Sequence, residues 1–130
     1  MDTEKLMKTN IGTKEIQTLN PAKVKIVSVE FQTETKEGKK MDTPLAHFNC
    51  KHPNREELIS ITKVKYERNG KLEVVGFWVQ LDEDEKFKKS SAISALLKFL
   101  DCENLEDTYN KEIDTTKQSE DNLYLCLKAY

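Results

Sequence analysis

The chain is poor in the residues that would tie it to a specialised class. Its 130 residues include three cysteines, three prolines, four glycines, two histidines and one tryptophan. Cys50, Cys102 and Cys126 are odd in number and unrelated in spacing, which argues against a disulfide framework and suits reduced thiols packed as small hydrophobes. No run approaches the roughly 18 apolar residues of a membrane span. The opening MDTEKLMKTN carries charges from its second residue and lacks the apolar stretch of a signal peptide, so a cytoplasmic protein without membrane attachment is expected. A nucleophile elbow, a Walker loop, an HExxH pair and a dinucleotide fingerprint are all missing, so the sequence points away from an enzyme and implies no cofactor.

Metal binding is equally hard to build. His47, Cys50 and His52 fall within six positions, but LAHFNC reads as a strand that sends His47 and Cys50 to opposite faces. His52 precedes Pro53 in a turn, so the three side chains do not converge on one ion. The acidic run Asp82, Glu83, Asp84, Glu85 lacks the spaced ligands and glycine of a calcium loop and reads as a solvated turn.

Charge and hydrophobic pattern carry more. The net charge of −2 conceals an asymmetry: residues 1–70 hold 13 basic against 10 acidic side chains, and residues 71–130 hold 8 against 13. This is far from the strongly basic balance of a dedicated nucleic-acid binder. Residues 1–20 show no sustained period and end at Asn20 and Pro21, the pattern of a flexible N-terminal arm ahead of a single domain over 21–130.

KVKIVSVEFQTET (23–35) puts Val24 and Ile26 on one parity and Val27, Val29 and Phe31 on the other, as expected of a strand containing a bulge. In the next strand, Ala46, Phe48 and Cys50 share a face opposite Leu45, His47 and Asn49. Asn69 and Gly70 then announce a two-residue type I′ hairpin. Its register sets Val64 beside Val75, Thr62 beside Phe77, Ser60 beside Val79 and Leu58 beside Leu81 on a core face. The opposite face receives Lys65 with Val74, Lys63 with Gly76, Ile61 with Trp78 and Ile59 with Gln80; a bulge at Gly76 would exchange the faces beyond it.

The period then changes to 3.6. Ser90 or Ser91 can cap a helix over roughly 90–102 whose Ile93, Leu96, Leu97 and Leu100 form one apolar stripe. KEIDTT (111–116) and NLYLCLKAY (122–130) close the chain as a strand pair, the latter alternating Leu123, Leu125, Leu127 and Ala129 with Tyr124, Cys126, Lys128 and Tyr130. The fold class is therefore mainly β with one helix.

The order of these elements resembles the oligonucleotide-binding (OB) fold, a partly open Greek-key β-barrel with a helix before its last two strands. The stretch from GFWVQLDEDEKFKKSSAISALLKFL to LYLCLKAY is also similar to small phage and archaeal mobile-element proteins, some of which bind single-stranded DNA. The resemblance implies a non-enzymatic accessory protein that binds single-stranded nucleic acid through Lys63, Lys65 and Trp78 on the hairpin, with Lys36, Lys39 and Lys40 in the first loop. An indole offers any base a stacking surface and lysines follow phosphates. Gly76 opposite Lys63 would leave room for a base to approach, whereas Glu120 and Asp121 in the last loop would repel phosphate. A protein partner, or a second copy of the chain, docking on Ile59, Ile61, Val74 and Trp78 is the alternative. A third possibility is structural only: the arm covers Trp78 and the lysines blunt a sheet surface.

Overall fold

The computed structural model describes Met7 and residues 19–130. The arm assigned to residues 1–20 thus lies outside the described residues, apart from Met7, Leu19 and Asn20. The elements run β1 (Lys23–Glu34), β2 (Lys40–Lys51), β3 (Ile59–Ile61), β4 (Lys63–Arg68), β5 (Lys71–Gly76), α1 (Ala92–Phe99), a 3₁₀ turn (Glu106–Thr108), β6 (Glu112–Lys117) and β7 (Leu125–Ala129). They form a mainly β fold, a seven-stranded sheet in the order β3-β2-β1-β6-β7-β4-β5. No helix is long and apolar enough to cross a membrane among the described residues.

The parity break in β1 is a bulge. Its ladder with β2 skips Val27, between Ile26↔Cys50 and Ser28↔Asn49. Val24 and Ile26 are fully buried before it, and Val29 packs against the core after it. A strand that must serve two neighbours gains from the extra bend such a residue gives. The first residues of β1 indeed pair also with β6, through Lys23↔Asp114, Val24↔Ile113 and Lys25↔Glu112.

The type I′ turn has the geometry its residues favour, with φ of 51° at Asn69 and 80° at Gly70. It sets Arg68 opposite Lys71, Val64 opposite Val75 and Lys63 opposite Gly76, the expected register. Beyond Gly76 the expected pairs give way. Phe77 still donates its N–H to the Thr62 carbonyl at 2.9 Å, but the backbone N–H of Trp78 turns back onto the Gly76 carbonyl. Trp78 then bridges Leu45, and the N–H groups of Ala46 and Val79 donate to the carbonyls of Phe77 and Pro44. The cause is a competing partner. Only Thr62 separates β3 from β4, and β3 pairs with β2 through Phe48↔Ile61, Asn49↔Ser60 and Cys50↔Ile59. Ile61 is consequently buried in the core instead of standing beside Trp78, and Leu58 and Leu81, expected in the core, are exposed.

The core joins the inner faces of β1, β2, β4, β6 and β7 to α1. Phe48 and Phe77 meet at its centre, rings 4.5 Å apart and tilted by 49°; each fully buried side chain of this size contributes roughly 1.5–3 kcal/mol. Helix α1 is shorter than expected. Ser91 is its N-cap, its Oγ accepting the Ser94 N–H at 3.2 Å, and Ile93, Leu96 and Leu97 are buried. It ends where Asp101 takes a left-handed φ of 55°. There the Cys102 N–H reaches the Leu97 carbonyl and the Asp101 N–H the Lys98 carbonyl, the paired bonds of a Schellman closure.

Candidate functional site

Strand β4 sends Val64 and Tyr66 into the core and Lys63 and Lys65 to the outside. Strand β7 lies parallel to it, with Val64 beside Leu127 and Lys65 beside Lys128. Because neighbours in register share a face, Lys63, Lys65 and Lys128 occupy one outer surface. Lys128 Nζ stands 4.8 Å from the centroid of the Tyr130 ring, two residues on along the same face. Cys126 lies on this side of β7 with its thiol buried. Burial raises its pKa to about 11, against a lowering by the positive charges of Lys65 and Lys63.

Trp78 borders this surface. Its indole covers the position where a Gly76 side chain would project: a Cβ there would meet Trp78 Nε1 at 2.9 Å. The space expected at Gly76 for an incoming base is therefore already filled, by the protein's own tryptophan. The indole remains 41% exposed and forms a wall of a shallow groove of about 530 Å³ with Lys39, Lys40, Met41, Asp42 and Gln80. Lys36 does not line this groove. It lies in the turn closed by the Gly38 N–H on the Thr35 carbonyl.

Past Lys63 is a second cleft, of about 360 Å³, between β3 and the loop joining β6 to β7. Arg55, Ser60, Lys63, Gln118 and Tyr124 line it, and Tyr124 is 72% exposed. Lys63 Nζ approaches Gln118 Oε1 at 3.5 Å, while Arg55 pairs with Glu57 at 3.5 Å in solvent. Glu120 and Asp121 belong to the same loop but not to the lining. Of the residues expected to bind, Lys63 and Lys65 thus stand on the sheet surface, Trp78, Lys39 and Lys40 flank it, and Lys36 stays apart.

The chain matches no family model, no curated protein and no solved structure.

Function is accordingly inferred from the surface itself. Sequence reasoning overlooked Lys128, Tyr130, Tyr124 and Arg55. The alternation in LYLCLKAY already put Tyr124, Lys128 and Tyr130 on one parity; what it could not show was that β7 lies beside β4.

The histidines are occupied elsewhere. His47 bonds Ser60 Oγ and Gln32 Oε1, both at 2.7 Å, on the outer face of β2. His52 is fully buried. Its Nδ1 accepts the Asn54 N–H at 3.1 Å and its Nε2 donates to the Asn20 carbonyl at 2.8 Å, which pins the entry of the chain into β1. Among the described residues no group of three or more His, Cys, Asp or Glu is placed to hold a metal ion.

Proposed function

We propose that the outer face of β4 and β7, with the Trp78 groove at its side, binds single-stranded nucleic acid without catalysing a reaction and with little base preference. One observation carries this reading: Lys63, Lys65 and Lys128 share a sheet face whose borders hold the half-exposed Trp78 and the exposed rings of Tyr124 and Tyr130. Cations spaced along a surface follow phosphates, and flat exposed rings accept bases of any identity. A duplex would present its bases only as edges in a groove, which leaves such rings nothing to stack on.

The OB-like barrel belongs to the same proposal. Its support is the parallel pair β4–β7, the antiparallel pair β6–β1, and the path β3–Thr62–β4, which serves β2 on one side and β7 on the other. The protein-docking alternative keeps Val74 and Trp78 but loses Ile61 to the core, which reduces the apolar area it has to offer.

The test is a titration of a labelled oligothymidylate, followed by anisotropy and by Trp78 fluorescence at about 50 and about 200 mM salt. Binding with a changed tryptophan signal, weaker at the higher salt, is expected. A folded protein that binds at neither salt overturns the proposal.

A further inference from the structure

Among the described residues, β5 is an end strand of the sheet with no second strand beside it, and Lys71 and Glu73 are the charges it carries. Strand β3 is three residues long and runs directly into β4. The far edge of β1 gives the Val29 N–H to the Tyr109 hydroxyl and carries Glu30, Gln32 and Glu34. Strand β5 ends the sheet order and, among the described residues, pairs only with β4. It contains no proline and no bulge, and Leu72 on it is 47% exposed. An unpaired edge of this kind is a template for another strand.

The hairpin determines which backbone groups are on offer. In a two-residue hairpin the pair flanking the turn, Arg68 and Lys71, exchanges both hydrogen bonds, and the bonded pairs then alternate. Lys71, Glu73 and Val75 therefore point their N–H and C=O groups at β4, while Leu72, Val74 and Gly76 point theirs outward, the Gly76 carbonyl being already taken by the Trp78 N–H. A second copy of β5 approaching antiparallel must set outward residues opposite outward residues, and Leu72 and Val74 can be combined in few ways. Val74 against Val74 pairs Glu73 with Val75 and runs Lys71 past the strand end. Leu72 against Val74 places Glu73 directly against Glu73. Leu72 against Leu72 joins the two exposed leucines and sets Lys71 against Glu73 twice, once on each side of the two-fold axis. Opposite charges across a ladder favour a register and like charges oppose it.

We propose that the chain self-associates through β5, edge to edge and antiparallel about Leu72, with Lys71 of each copy facing Glu73 of the other. A two-fold axis normal to the sheet turns both outer faces the same way, so Lys65 and Lys128 of the two copies lie on one continuous sheet surface. The paired segment is short and its charges are exposed, so the association is weak and weakened further by salt.

Sedimentation equilibrium over rising protein concentration tests this without nucleic acid, and so independently of the binding reading. The average mass is expected to climb from 15.1 kDa toward that of a dimer. Lys71→Glu alone and Glu73→Lys alone should each hold the protein at the monomer mass, and the double exchange should restore the dimer. Glu73 also pairs with Arg68 of its own hairpin at 3.6 Å, so far-ultraviolet dichroism of each variant serves to confirm that the hairpin is intact. A wild-type protein that stays monomeric at the highest concentration overturns the proposal. So does a dimer indifferent to the single reversals, or one that the double exchange does not recover.

Discussion

The indole of Trp78 rests on the bare α-carbon of Gly76, at the spot where any other residue would place its Cβ 2.9 Å from Nε1. Gly76 φ is not in the left-handed region, so the glycine is required here by proximity, not by backbone conformation. The ring is thereby held at the border between the β4 surface and the Lys39–Lys40 groove.

Gly76→Ala should therefore act on the tryptophan before it acts on the fold. One side of the ring is open to solvent, so it can swing away, and the expected loss of stability is at the low end of the roughly 1–3 kcal/mol of an overpacked core. The emission maximum should shift to longer wavelength and oligonucleotide affinity should fall. Unchanged emission would mean that the ring does not depend on the missing Cβ.

Substitutions within the proposed surface should divide by chemistry. Trp78→Ala removes one stacking platform, worth roughly 1–3 kcal/mol per base, and should weaken binding at every salt concentration. Lys65→Gln or Lys128→Gln should lower affinity less and flatten the salt dependence, the logarithmic slope dropping by roughly one for each phosphate no longer neutralised. Lys36→Gln, outside the groove lining, should do little. If Trp78→Ala and both lysine variants of the sheet bind like the wild type, the surface is not the site.

Much of this surface is legible in the sequence because local rules govern it. Asn69–Gly70 needs two positive φ values and supplies two residues that tolerate them, so the register back to Lys63 and Gly76 follows. The parity break at Val27 announces the bulge in the same way. Past Gly76 the choice of partner passes to residues far along the chain: Ile61 lines up with Phe48 of β2, and Trp78 with Leu45. No pattern within ELISIT distinguishes that outcome from a longer hairpin. Lys128 escapes notice for the same reason, since its place beside Lys65 depends on a parallel pairing between strands at opposite ends of the second half of the chain.

The helix end offers a stability test away from the surface. Asp101 occupies the left-handed position of the Schellman closure with φ of 55°, where glycine carries no Cβ penalty. Asp101→Gly should raise stability by up to about 1 kcal/mol in urea unfolding, and Ser91→Ala at the other end should lower it by about 1 kcal/mol. A destabilised Asp101→Gly protein would show that the aspartate makes a contribution its backbone geometry does not require.

The thiols predict how the protein fails at high pH. Burial pushes Cys50 up to about 12 and Cys126 to about 11, from an ordinary value of 9.0. A folded-state pKa above the unfolded one means that the native protein holds its protons longer. The stabilisation is complete below the unfolded value and is lost as pH rises from about 9 toward the folded values. Each thiol then contributes a slope of about 1.4 kcal/mol per pH unit within that window. Cys102, half-buried at the helix end, is raised chiefly by burial, with Lys111 opposing the effect and Asp107 and Asp101 reinforcing it. Urea unfolding between about pH 8 and about pH 11 should show stability falling, and Cys50→Ala should reduce that slope even as it costs stability at neutral pH. A thiol reagent applied to the native protein should label Cys102 first, and Cys50 and Cys126 only as fast as the fold opens; simultaneous labelling of all three would contradict the buried placement of these two thiols in β2 and β7.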